Sequence, residues 1–304
     1  MSAATRLDGI RARAEALAYD LDFTEVRRWK TETGRKAVGF LPVYAPREVV
    51  RAAGMLPVAI FGGGERLEVI RGDACFQSYI CHLPRSVVEL LLSGRLDPVD
   101  GFLFPSTCDV IRNLSGVFQM MARDRYVRYL DLPQSDDPEI STAFWEGELR
   151  RLATELGALS GNTVTDTTLA AAISVYETNR ELVAEVEALR LSAPWLVPMT
   201  ELYTVVRAGS VLPVEEHTAL LVEYLEAAAT SGRRERDHSR VVVVGAFCEQ
   251  PPLGLLRTLE RAGCDVVGDD LLLGLRWFRG PVRLRTGESP FRSLARAWME
   301  KSPA

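Results

Sequence analysis

The chain has 304 residues, about twice the ~150 that serve as a soft prior for one domain, so two domains are expected. Hydrophobic residues make up 47% and charged residues 25%, an average globular composition that excludes a disordered, collagen-like or coiled-coil chain. The net charge is -5, and all of the basic residues except Lys30, Lys36 and Lys301 are arginines interleaved with acids, a distribution that argues against a nucleic-acid partner.

Residues 1 to 34 read as amphipathic helix, with Ile10, Ala14, Leu17 and Leu21 at helical spacing and Gly34 closing the segment. Ala37 to Tyr44 then reads as a strand, Ala45 to Ala53 as a helix opened by Pro46, and Leu56 to Phe61 as a second strand, the unit from which parallel sheets are built. After a Gly62, Gly63, Gly64 turn, a loop carries Cys75 and Cys81 into a helix over Arg85 to Leu92. Asp100 to Pro105 is a buried strand, Asp109 to Ala122 a helix, and Tyr126 to Leu130 a last strand. Residues 141 to 226 read as several helices, with Thr165 or Asp166 capping the one that ends near Leu189. A charged segment, Ser231 to Ser239, is expected to be a solvated linker. Beyond it, Val241 to Phe247 is a strand, Leu253 to Ala262 a helix and Cys264 to Val267 another strand.

The expected fold is therefore α/β, with two Rossmann- or flavodoxin-like parallel-sheet domains and a helical insertion. The divisions are 1-36 for an N-terminal helical segment, 37-140 for the first α/β domain, 141-232 for the helical section and 233-304 for the start of a second α/β domain. Two parallel strands do not make a self-sufficient sheet, so either the helical section covers the second pair or the chain stops short of its natural end. No apolar stretch approaches the ~20 residues that span a bilayer, and residues 1 to 22 lack the continuous apolar region of a signal peptide. A cytoplasmic location away from membranes is the expectation.

The sequence holds no phosphate-cradling Gly-x-x-x-x-Gly-Lys motif, no dinucleotide fingerprint and no Gly-x-Ser-x-Gly elbow. His82, His217 and His238 stand in unrelated contexts, with His217 expected on an exposed helix face and His238 in the linker. The five cysteines are Cys75, Cys81, Cys108, Cys248 and Cys264, an odd number that argues against a disulfide framework. Cys108 follows a strand and opens a helix, the place where open α/β sheets put ligands, and Cys81 has a comparable place ahead of the next helix. Helix amino ends favour thiolates and anionic groups, so these two thiols are candidate metal ligands, with buried structural thiols as the alternative. Their spacing matches neither a zinc ribbon nor a ferredoxin.

The stretch FQSYICHLPRSVVELLLSGRLDPVDGFLFPSTCD, Phe76 to Asp109, resembles the subunits of benzoyl-CoA reductase and the 2-hydroxyacyl-CoA dehydratases. GFLPVYAPREVVRAAGMLPV, Gly39 to Val58, is similar to the segment that precedes it there. RAGCDVVGDDLLLGLRWF, Arg261 to Phe278, resembles their second α/β domain, where a strand ends in paired acids, here Asp269 and Asp270. The resemblance implies a low-potential [4Fe-4S] cluster with Cys81 and Cys108 as two of three cysteine ligands and Ser106, Thr107 and Asp109 shaping the loop. It also implies a related second subunit, an ATP-hydrolysing iron-sulfur activator, and reduction of a CoA thioester through a ketyl-type radical, ending in ring reduction or loss of a hydroxyl.

In the family the third cysteine ligand lies further toward the carboxyl terminus than residue 304. Cys248 and Cys75 are candidate substitutes, while Cys264, which opens a strand, is expected in the core. The rival expectation is a non-catalytic or truncated partner subunit that keeps the fold without a competent cluster.

Overall fold

The computed structural model describes residues 3–41, 43–245, 252–270 and 280–301. Its amino-terminal segment is two helices, α1 (Ala3–Ala18) and α2 (Thr24–Thr33), rather than the single helix expected over residues 1 to 34. The break falls where the Asp20 carboxylate accepts the amides of Asp22 and Glu25, each at 3.2 Å, and Phe23 adopts φ 51° to bury its ring. An acidic side chain that captures backbone donors competes with helix continuation. The α1 stripe of Leu7, Ile10, Ala14 and Leu17 packs into the main core.

Four parallel strands form the first sheet: β1 (Ala37–Phe40), β2 (Leu56–Ala59), β3 (Gly101–Pro105) and β4 (Tyr126–Leu130), in the order β2-β1-β3-β4. The expected strand from Ala37 to Tyr44 is cut to four residues because Tyr44, at φ 66°, and Pro46 turn the chain into α3 (Arg47–Ala52). Parallel neighbours require each connection to return across a face of the sheet. α4 (His82–Leu92) leads into β3, and α5 (Asp109–Met121) joins β3 to β4. These two helices pack together on one face. There Phe102 and Phe104 of β3 meet Phe118 of α5 edge to face, with centroids 4.8 and 5.0 Å apart. Leu103, pointing the other way, joins Val38, Phe40 and the α3 residues Val49 and Val50 in a second core. Three further helices complete that second layer: α6 (Pro138–Ser160), α7 (Asp166–Ser192) and α11 (Pro290–Lys301).

The expected α7 cap is present in full. Thr165 Oγ1 accepts from the Thr168 amide at 3.2 Å, and the Thr168 hydroxyl accepts from the Thr165 amide at 2.9 Å. The helical section continues with α8 (Met199–Ala208) and α9 (Val214–Ala229). His217 corrects the exposed-face expectation, since only 1% of it is accessible. Its Nε2 lies 3.0 Å from the Val205 carbonyl and its Nδ1 3.1 Å from Asn179 Nδ2. A carbonyl can only accept, so Nε2 carries the proton and Nδ1 accepts from the amide. The ring thereby joins α7, α8 and α9, and Gly209 leaves room for it, since a Cβ there would sit 2.5 Å from the imidazole.

The charged linker is also more structured than expected. Arg233 makes a two-pronged ion pair with the buried Glu201, and Ser239 already belongs to β5 (Ser239–Val243). His238 is half-buried, with Nδ1 3.1 Å from Asp265. β5 pairs in parallel with β6 (Cys264–Asp269), preceded by α10 (Leu253–Arg261). Helices α7, α8 and α10 pack against β6, so the helical section does cover this pair. Among the described residues no helix is long and apolar enough to cross a membrane.

The His217 environment makes an acid-stability prediction. Burial, with help from the nearby Arg47 guanidinium, pushes the imidazole down to about 4 from 6.5, against the opposing hydrogen bond to Val205. The unfolded chain therefore takes up the proton first, so stability is complete above about pH 6.5 and drains away as the pH falls toward 4. At ~1.36 kcal/mol per pH unit of this window, His217 should cost about 2 kcal/mol between pH 7.5 and pH 5. Chemical denaturation at the two pH values should show that loss, and His217→Gln should remove it from the difference.

Candidate functional site

In a parallel sheet the helix amino ends collect at the edge formed by the carboxyl ends of the strands. The order β2-β1-β3-β4 puts the reversal of strand order between β1 and β3, where open α/β sheets carry their ligand crevice. Cys108 caps the amino end of α5 directly after β3, and Cys81 caps the amino end of α4. Neither side chain makes a capping hydrogen bond to its own helix. Topology thus places both thiols at one edge and on one face, at the amino ends of adjacent helices. Their surroundings differ, since Cys108 is exposed while Cys81 is half-buried against the apolar core beneath α4.

The loop residues around Cys108 have distinct tasks. Ser106 donates its amide to the Leu130 carbonyl at 2.9 Å, and its hydroxyl accepts the Leu132 amide at 2.8 Å. It therefore fixes the loop after β3 to the chain leaving β4. Thr107 folds back on the Pro105 carbonyl, through its amide at 2.7 Å and its hydroxyl at 3.0 Å. Asp109, exposed at the first turn of α5, adds a carboxylate where the helix dipole favours one.

The remaining cysteines separate from this pair. Cys75 ends a short turn, Gly72–Cys75, and packs half-buried against the same core as Cys81. Cys264 is the first residue of β6, at the opposite end of its sheet from the strand carboxyl termini, and is half-buried rather than the core residue expected. Cys248 lies outside the described residues, as do residues 271 to 278 of the third resembling segment.

A metal cluster of the iron-sulfur type needs soft thiolate donors, and the two helix-capping thiols are of that kind. Among the described residues no three His, Cys, Asp or Glu side chains gather into a group able to hold a metal ion. The described residues offer two donors of that kind at adjacent helix amino ends, Cys81 and Cys108.

Several site features escaped the sequence reading. Tyr44 holds a left-handed backbone in the loop after β1, with its ring 6.0 Å from that of Trp298 on α11. Polar side chains of α4, Arg85, Ser86 and Glu89, hold the loop that precedes Cys81. The available signal was a serine and a glutamate set into the apolar run of α4, since a buried polar group needs a partner.

The fold is α/β, with the thiols of Cys81 and Cys108 outside the strand ends of its first sheet. Residues 42–304 match the profile of the 2-hydroxyglutaryl-CoA dehydratase, D-component, family, and the chain belongs to that family. It is 49% identical to a benzoyl-CoA reductase subunit of Thauera aromatica over 292 residues, 96% of this chain and 75% of that protein. It is 30% identical to the (R)-2-hydroxyglutaryl-CoA dehydratase subunit beta of Acidaminococcus fermentans over 256 residues, 84% of this chain and 66% of the relative. Lactoyl-CoA dehydratase subunit beta of Anaerotignum propionicum is 28% identical over 273 residues, 90% of this chain and 71% of the relative. The chain accordingly is an enzyme subunit of the acyl-CoA reductase and dehydratase group.

The Ser106 geometry assigns that residue to the loop itself. Ser106→Ala strands the Leu132 amide in a half-buried position and should cost about 1–2 kcal/mol, seen by denaturant unfolding of the protein without any added metal.

Proposed function

We propose that this chain is an iron-sulfur subunit that supports low-potential reduction of a CoA thioester, with ring reduction of a benzoyl-type ester favoured over dehydration. Two facts support the reading: the thiols of Cys81 and Cys108 at adjacent helix amino ends, and the 49% identity to a benzoyl-CoA reductase subunit. The single observation that carries it is the thiol pair.

A [4Fe-4S] cluster bound here would supply single electrons near the low end of the ~-700 to +450 mV range open to protein clusters, as an aryl thioester requires. The chain's own residues supply the rest. Cys81 and Cys108 offer sulfur donors, each at the amino end of a helix. Ser106 and Thr107 hold the Cys108 loop in one shape. The apolar packing around Cys81 excludes water from one side of the site.

The relatives are named as subunits, and this chain is proposed to work in the same way, paired with a related subunit that completes the site. An ATP-hydrolysing activator would deliver the electrons in the cytoplasm, with no nucleic acid or membrane involved. The second reading is a partner subunit without a competent cluster. It is favoured by the absence of a three-ligand group among the described residues.

Anaerobic reconstitution of the complex with iron and sulfide separates the two. The expected result is stoichiometric iron with broad visible absorption, lost in Cys81→Ser and Cys108→Ser and kept in Cys264→Ser. Stoichiometric uptake that survives both Cys81→Ser and Cys108→Ser, or no uptake by the wild type, would sink the cluster reading. Activity unaffected by Cys108→Ala would favour the second.

A further inference from the structure

We propose that Glu89 is a positioning residue for Cys81: its carboxylate fills a nest of three backbone N–H groups and ties the loop before Cys81 to the helix that Cys81 caps. The purpose of this tie rests on the cluster reading above; its geometry does not.

Twenty-two residues separate β2 from α4, and a connection of that length without strands is free to wander unless something holds it. Glu89 Oε2 accepts from the amides of Ile70 at 2.9 Å, Arg71 at 2.6 Å and Gly72 at 2.9 Å. Successive amides converging on one point form an anion-binding concavity, and here the protein fills it with its own carboxylate. Only 8% of Glu89 is accessible, so the charge is shielded from water and the three bonds are its compensation. The Gly72 amide above all, with those of Ile70 and Arg71, holds the carboxyl below its ordinary range, against the opposing effect of burial.

Two neighbours on α4 extend the tie. Ser86 Oγ accepts the Gly63 amide at 2.6 Å, and the Arg85 guanidinium reaches Asp73 at 2.9 Å. Positions 85, 86 and 89 share a helix face, so one side of α4 grips the loop at three places. The approach is close enough to need glycine, since a Cβ on Gly72 would lie 2.0 Å from the Arg85 carbonyl oxygen. From this anchor the chain makes the turn ending at Cys75 and reaches Cys81 six residues later. Both ends of that short span are fixed to α4, which narrows the positions open to the Cys81 thiol before any metal arrives. Groups that orient metal ligands in this way typically matter ~10–100-fold for metal retention.

The test uses Glu89→Gln, which keeps the shape and removes the charge, and Glu89→Ala as a second variant. In the metal-free protein, amide exchange at residues 70–72 should rise at least ~10-fold, and Cys81 should alkylate faster while Cys264 keeps its rate. In the reconstituted complex, iron loss to a chelator should quicken by ~10-fold or more. A purely structural role would lower global stability and leave the ratio of Cys81 to Cys264 alkylation unchanged, which overturns the proposal. Iron held by wild type and both variants alike, with exchange at 70–72 unaltered, overturns it too. If the wild type takes up no iron, the cluster reading fails while exchange and alkylation still decide the role of Glu89.

Discussion

Parallel pairing of β1, β2, β3 and β4 is the constraint on which the site depends. Each strand must be followed by a return across one face, so the connecting helices α3, α4 and α5 start at the same edge of the sheet, and the unsatisfied amides of their amino ends gather there. The opposite edge is closed by the chain itself. Lys30 bonds the Pro98 carbonyl and the Asp100 carboxylate, which also accepts the Ala37 amide at 2.8 Å. One edge of the sheet is sealed by an ion pair, and the other is left to the thiols of Cys81 and Cys108. The gathering of helix amino ends at the carboxyl edge follows from topology before any particular side chain is considered.

A long loop at such an edge has to be held, and α4 does this with side chains that an all-apolar helix would lack. Its buried face carries Leu83, Val87, Val88 and Leu90 against the core, and Ser86 and Glu89 sit among them. Burying a carboxylate without partners costs several kcal/mol in effect, so Glu89 belongs there only because three amides meet it. The same helix thus secures the apolar core with one set of residues and the Cys81 loop with another.

Strand and helix positions in the first sheet were legible because local signals agreed with the tertiary structure. β4 matches its expected bounds, and α5 starts at Asp109 as the strand-to-helix pattern required. The resemblance of residues 76 to 109 pointed at the two helix-capping thiols. What escaped was set by distant partners. Nothing adjacent to His217 announces that Asn179 and Val205 will enclose it, and nothing in the charged run after Ser231 announces that Arg233 will meet Glu201. The break at Phe23 was missed for a different reason: helical periodicity persists on both sides of it, and only the Asp20 cap separates the two segments. The nest around Glu89 joins residues 17 to 19 positions apart through backbone amides, which leave no trace in side-chain pattern.

The second sheet shows the same topology used differently. A two-stranded sheet is not stable alone, and here α7 and α8 supply the layer it lacks. Asp269 ends β6 at the carboxyl edge, as Pro105 ends β3, and its side chain is fully buried and paired with Arg190 of α7 at 2.6 Å. Removing one partner of such a pair leaves a buried charge and typically costs ~3–5 kcal/mol. The acid at the end of β6 therefore acts as a tie between the second sheet and the helical section. The resemblance marks Asp269 and Asp270 together, and the first of them is committed to the fold.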